Sequence, residues 1–216
     1  FGDLPNVAAS SQLEKAYVAE LGKIFVVERD VPQSVIMFSQ PGIARGDLDY
    51  YAAYVMNHIL GGGAFSSRLY EEIREKRGLA YSVYSYINPL DAGSILTGSV
   101  STENARAGRS LEIVRAEWSR MSDKGISEEE LNKARQYITG SWPLRFDNVA
   151  QMARMLVGMQ YNELGIEYLD MRNDYINAVT REDINRVARR ILDVAKLTVV
   201  VVGKPLGIRA TAEVLD

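Results

Sequence analysis

Hydrophobic and polar positions divide the chain into short apolar runs and longer stretches with helical spacing. Residues 23–28 (KIFVVE) and 34–39 (SVIMFS) are rich in Val, Ile and Phe, which predicts strands. Pro41-Gly42 then breaks the chain. From Asp47 the apolar residues Leu48, Tyr51, Ala52, Val55 and Ile59 recur every three or four positions, predicting a helix with one buried stripe. Gly61-Gly62-Gly63 ends it. A second helix is expected over residues 66–77, capped by Ser66 or Ser67 and stopped by Gly78. Residues 81–88 (YSVYSYIN) and 93–101 (GSILTGSVS), joined through Pro89-Leu90-Asp91, read as a hairpin with a loop longer than two residues.

The remainder is mostly helical. Residues 103–121 carry Ala107, Leu111, Val114 and Trp118 on one face. Ser127-Glu128-Glu129-Glu130 is a capping box that opens the next helix through Leu131, Ala134 and Ile138. Asp147 is expected to cap a helix reaching about residue 160, and residues 165–178 form another. Thr180 caps a helix over 181–192, and residues 196–202 read as a buried closing strand. Strands do not alternate regularly with helices, which favours an α+β fold with a mainly antiparallel sheet covered by helices. The late strand must return to a sheet begun early, so residues 23–216 are expected to form a single domain. Residues 1–22 are expected to be a linker or N-terminal arm, its first 11 residues polar and small.

Composition bears mainly on what to exclude. The 216 residues are 47% hydrophobic and 25% charged with a net charge of −3, an ordinary globular balance. Mild acidity argues against a nucleic-acid partner. No apolar run approaches the roughly 20 residues of a membrane helix. Cys is absent, which removes disulfides, thiolate nucleophiles and Cys-based zinc sites.

The single histidine, His58, limits the chemistry further. A zinc protease helix of the H-E-x-x-H type needs two imidazoles one turn apart, and no such cluster occurs. A structural or exposed role therefore suits His58, and no metal ligands are assigned. A Ser-His-Asp triad would need the same His, and neither G-x-S-x-G nor S-x-x-K is present. The run Gly61–Arg68 (GGGAFSSR) lacks the G-K-[ST] ending of a phosphate loop and follows a helix, not a strand. Taken alone, the sequence holds no complete catalytic apparatus.

The informative stretch is LGGGAFSSRLYEEIREKRGLAYSVYSY, residues 60–86. It closely resembles the hallmark segment of the C-terminal, zinc-free domain of M16 (insulinase- or pitrilysin-like) metallopeptidases. Val31-Pro32-Gln33-Ser34, Arg45-Gly46-Asp47-Leu48-Asp49-Tyr50-Tyr51, the Ser127–Leu131 element and the closing run Val199–Gly203 match in order. The resemblance covers nearly the whole chain from about Lys23. It implies a LuxS/mitochondrial-processing-peptidase-like metallohydrolase domain whose companion domain carries the H-x-x-E-H zinc motif.

It also implies that Arg74 and Tyr81, seven positions apart, contact a peptide near the scissile bond as catalytic donors. Gly61, Gly62, Gly63, Ser67 and Arg68 are its implied substrate-binding residues. Peptide hydrolysis passes through a tetrahedral oxyanion, which a guanidinium and a phenol can stabilise without changing protonation state. By spacing alone, Arg74 could as well pair with Glu71 or Tyr70 on a solvated face, and Tyr81 is one of several strand tyrosines. The glycines could equally serve only the turn. Strict alternation puts Tyr84 and Tyr86 on the opposite strand face from Tyr81.

No cofactor is expected in this chain; zinc belongs to a partner domain or subunit. The implied partners are that zinc-binding M16 domain, a peptide substrate and a second subunit in a homo- or heterodimer, with no nucleic acid and no membrane span. The resemblance points to a bacterial protein of the periplasm or cytoplasm. A non-enzymatic scaffold or assembly subunit of the same fold is the alternative.

Overall fold

In the computed structural model the described residues are 14–90 and 92–213. Five strands form one sheet in the order β1-β5-β2-β4-β3, with β1 Ile24–Glu28, β2 Gln33–Pro41, β3 Ala80–Asn88, β4 Ile95–Glu103 and β5 Thr198–Gly203. β1 and β5 run parallel, and every other neighbouring pair is antiparallel. The helices among the described residues are α1 Tyr50–Asn57, α2 Arg68–Tyr70, α3 Ala107–Lys124, α4 Glu128–Gly140, α5 Val149–Tyr161, α6 Tyr168–Ala178 and α7 Arg181–Ile191. This is the expected α+β architecture, and all five expected strands share the sheet.

Side-chain alternation decides which sheet face is covered. In β2, Ser34, Ile36, Phe38 and Gln40 are buried while Val35 and Met37 are exposed. Val199 and Val201 of β5 are likewise buried, and Val200 and Val202 exposed. The closing run is therefore buried on one face only, not through its whole width as its unbroken valines suggested. Helices pack on that buried face, where Leu111, Val114, Trp118 and Met121 of α3 join Phe38 and Val100 in one core. Phe38 meets Trp118 edge-to-face at 5.6 Å, and each such fully buried apolar side chain contributes roughly 1.5–3 kcal/mol.

One buried polar group ties the layers together. The Gln40 side chain accepts from Trp118 Nε1 at 3.0 Å and donates to the backbone oxygen of Ile191, the last residue of α7. It thus satisfies an indole donor and a helix-end carbonyl that would otherwise be orphaned.

The Ser127 and Thr180 caps form as expected, each as a reciprocal box with Glu130 or Asp183. Other boundaries differ. Asn148, not Asp147, caps α5, its side chain accepting from Gln151 N–H at 2.9 Å. Glu103 closes β4, and a short 3₁₀ turn over Asn104–Arg106 precedes α3. The hairpin strand begins at Ile95 and the last strand at Thr198, because Lys196 ends a 3₁₀ turn. Residues 1–13 of the expected arm lie outside the described residues. Within residues 14–22, Ala16 N–H donates to Ala92 O and Thr198 Oγ1 donates to Glu20 O, both at 2.7 Å.

Candidate functional site

α1 does not stop cleanly at the glycines. It widens into a five-residue turn over His58–Gly62, in which the Gly63 N–H donates to His58 O at 2.8 Å. This turn presses on β3. A Cβ at Gly61 would lie 2.4 Å from Ser85 Oγ and 2.9 Å from Leu69 Cδ1, so only glycine fits. Asn57 and Ser85 lock the contact with hydrogen bonds of 2.7 and 3.1 Å. Gly63 is buried beside His58, whereas Gly62 faces solvent.

Ser67 and Arg68 turn inward. Ser67 is buried and its hydroxyl donates to Ala64 O at 3.0 Å. Arg68 is buried too, donating to both oxygens of Glu130 at 2.6 and 3.0 Å and to Gly125 O at 2.9 Å. These two residues anchor the start of α2, and their polar atoms are occupied within the domain.

Arg74 and Tyr81 come together. α2 continues as a second wide turn over Glu71–Glu75, with Lys76 N–H donating to Glu71 O. Gly78, at φ +56°, then reverses the chain into β3. The Arg74 guanidinium lies 4.5 Å from the Tyr81 ring centre and 4.9 Å from that of Tyr70, and its Nη1 donates to Tyr81 O at 3.2 Å. Glu71 does not pair with it: Glu71 and Glu72 both hold Lys76, and Glu72 also holds Arg77. Of the two local partners open to Arg74 from spacing, the ring of Tyr70 is engaged and the carboxylate is not. Among the described residues the Tyr81 hydroxyl makes no hydrogen bond, and the side chain is 79% exposed.

A bulge at the start of β3 changes the parity expected there. Ala80 pairs with Thr102 and Ser82 with Ser101, which leaves Tyr81 as the extra residue. Tyr81 is consequently exposed although Val83 and Ser85, two and four positions on, are buried. Tyr84 and Tyr86 are exposed as well, and in register with Ser99 and Thr97 they extend the uncovered sheet face of Met37 and Val200. Alternation counted from Tyr81 therefore does not separate the tyrosines into an exposed and a buried set.

One neighbour of the pair, Phe65, has no role in the sequence pattern. Phe65, exposed at the tip of the glycine turn, meets Tyr70 edge-to-face at 5.1 Å, and Tyr70 in turn carries Arg74. Phe65, Tyr70, Arg74 and Tyr81 thus form a continuous ladder from the glycine turn to β3. The available signal was a large aromatic inside an otherwise small and polar turn.

No group of three or more His, Cys, Asp or Glu side chains suited to a metal occurs among the described residues. His58 lies against Tyr137 at 5.2 Å, and burial pushes its imidazole below the ordinary histidine value. The residues present do not fit a zinc site.

Fold and site together are those of an α+β domain that offers hydrogen-bond donors but no metal-binding cluster among its described residues. Residues 1–138 match the family described as the peptidase M16 inactive domain, and the chain belongs to that family. An uncharacterized zinc protease of Streptomyces coelicolor is 30% identical over 178 residues, covering 81% of this chain and 38% of the relative. A Helicobacter pylori protein named non-peptidase homolog YmxG is 28% identical over 179 residues, covering 82% and 41%. The chain thus spans about two fifths of the curated relatives it matches. The crystal structure of a peptidase M16 inactive domain from Pseudomonas fluorescens superposes with a TM-score of 0.84 at 29% identity, covering 95% of this chain and 49% of that one.

Proposed function

We propose that this chain is the substrate-facing, zinc-free domain of an M16-type zinc peptidase subunit, with Arg74 and Tyr81 as hydrogen-bond donors to the peptide undergoing hydrolysis. Zinc is held by an N-terminal M16 domain or a partner subunit, in a homo- or heterodimer that closes on the peptide. The observation that carries this reading is the Arg74–Tyr81 contact: a guanidinium that, among the described residues, pairs with no carboxylate, 4.5 Å from an exposed ring whose hydroxyl makes no hydrogen bond among them. Donors held ready where charge develops stabilise an oxyanion without reorganising. Neither group needs to change protonation state at neutral pH to do this.

In this reading the exposed Gly62 backbone and the Phe65 ring meet the peptide, while Gly61, Gly63, Ser67 and Arg68 shape the turn that presents them. The uncovered sheet face of Met37, Tyr84, Tyr86 and Val200 is then the surface on which the companion domain lies, since exposed apolar patches mark interaction sites. The test is steady-state kinetics of the assembled peptidase carrying Tyr81→Phe or Arg74→Ala. Full activity in both variants overturns the assignment.

A non-enzymatic scaffold of the same fold is the second reading, favoured by the name of the Helicobacter relative. It is supported if the assembled protein, with zinc supplied, cleaves no peptide in a library of extended sequences.

A further inference from the structure

Towards the other end of α1 from the glycine turn, α1, α5, α6 and the turn over Pro143–Phe146 line a partly open cavity of about 240 Å³. Its charged side chains, Arg45, Arg145 and Arg172, are all cationic. Arg45 lies 4.2 Å from the Tyr50 ring centre and 5.5 Å from that of Tyr168, and its Nη2 donates to the Tyr51 hydroxyl at 3.1 Å. Arg172 lies 4.2 Å from the Trp142 ring centre and is only 5% exposed.

A buried cation such as Arg172 is normally matched by a carboxylate, yet among the described residues neither it nor the half-buried Arg45 forms an ion pair. Arg172 makes two hydrogen bonds, both from Nη1, to Ile138 O at 3.4 Å and Asn173 Oδ1 at 3.1 Å. The acids nearest Arg45 in sequence are already taken: Asp47 binds Arg190, and Asp49 binds Arg186 and Arg190. Arg145, at the rim, adds a third cation without an ion pair. Burial pushes the Tyr168 phenol up to about 12, partly opposed by the nearby arginines, so it remains a neutral donor.

The geometry points to an anion site for an organic carboxylate with an apolar body, seated between Arg45 and Arg172 with its body against Trp142, Met159 and Ile176. The planar guanidinium fork matches a carboxylate. The apolar walls disfavour a bare, strongly hydrated inorganic anion and suit a side chain attached to the acid. The two sources of such a group are a peptide's C-terminal carboxylate and an acidic side chain within a peptide.

Trp142 lines the cavity while Trp118 is fully buried in the core, so tryptophan emission reports occupancy. The experiment titrates this chain with N-acetylphenylalanine, its amide, acetyl-Phe-Asp-Phe-amide and inorganic phosphate, with calorimetry in parallel. The expected result is saturable binding of N-acetylphenylalanine or of the Asp peptide, at least tenfold tighter than the amide or phosphate. Tighter binding of N-acetylphenylalanine than of the Asp peptide assigns the site to a chain terminus, and the reverse assigns it to a side chain. Arg172→Met removes a buried hydrogen-bonding group and can unfold the protein. Arg45→Met, at a half-buried position, is therefore the decisive variant and should weaken binding at least tenfold while the fold, checked by circular dichroism, is kept. Equal affinity for acid and amide, preference for phosphate, or unchanged affinity in Arg45→Met overturns the proposal. Because the readout is binding by this chain alone, it is independent of the Arg74–Tyr81 reading.

Discussion

Arg68 of α2 grips Glu130 of α4 through two charge-assisted hydrogen bonds, Nε to Oε1 at 2.6 Å and Nη2 to Oε2 at 3.0 Å. Glu130 also accepts the Ser127 N–H at 2.8 Å, so one carboxylate closes a helix cap and joins two helices. Burial opposes its charged form, but Arg68 and Ser127 outweigh burial and hold the carboxyl at about 2, against an ordinary 4.5. A depressed carboxylate contributes stability that is fully present above 4.5 and is lost as pH falls through 2. With the Glu130 side chain 30% exposed, that contribution is on the order of 2–3 kcal/mol. Urea unfolding of Glu130→Gln should show a shallower loss of stability than wild type between pH 4.5 and 2. Parallel profiles would refute the coupling.

Gly61 carries a second prediction, about packing. Alanine there must displace Ser85 or Leu69, and the cost should be roughly 1–3 kcal/mol. The same substitution at Gly140, the last residue of α4, meets nothing within 4 Å. It should be neutral or stabilising by about 0.4–1 kcal/mol. Thermal unfolding should therefore fall to lower temperature in the Gly61 variant and not in the Gly140 variant, and a matching loss in both would contradict the close approach of Gly61 to β3.

Gln40→Leu preserves volume but strands the Trp118 indole donor and the Ile191 carbonyl. Each orphaned buried group costs about 1–3 kcal/mol, so the variant should lose more than an ordinary core substitution of similar size. Chemical denaturation reads this directly, and a loss below about 1 kcal/mol would show that both groups find other partners.

For the assembled peptidase, Tyr81→Phe should lower kcat by roughly 10²–10³-fold, the usual effect of losing one oxyanion donor. Its stability should stay within about 0.5 kcal/mol of wild type, because the hydroxyl makes no hydrogen bond among the described residues. Arg74→Ala should reduce kcat similarly and weaken peptide binding, since Arg74 also steadies the backbone at Tyr81. Lys76→Ala removes only exposed pairs with Glu71 and Glu72 and should leave the kinetics nearly unchanged. A Lys76 effect as large as that of Arg74 would point to damage to the helix instead of a lost donor.

Much of this architecture can be read from residue order. Runs of Val, Ile and Phe marked the strands, and the Ser127 and Thr180 boxes marked two helix starts, because both signals are local and use few residues. The Arg74–Tyr81 contact was foreseeable from the motif. The bulge at Tyr81 was not, since one inserted residue alters pairing without altering composition. Nor were the wide turns at His58–Gly62 and Glu71–Glu75, where tertiary packing against β3 overrides helical spacing. The cationic cavity stayed hidden for another reason: Arg45, Trp142 and Arg172 lie far apart in sequence, and no local pattern links them. Arg68, an implied substrate-binding residue, is held by Glu130, 62 positions later, a pairing that no local pattern announces.

The parallel pairing of β1 with β5 has a kinetic meaning. β5 lies between β1 and β2, so Ile24 waits for Val199 and Val35 for Val202. During synthesis the ribosome has released nearly all of the helices before the strand that joins the two parts of the sheet exists. β1 has no other strand partner in the sheet, so the nascent chain must keep its apolar strands apart until the closing valines emerge. Such non-local closure slows folding and lengthens exposure to chaperones and proteases. A chain stalled before residue 198 would present them with a helical layer over an interrupted sheet.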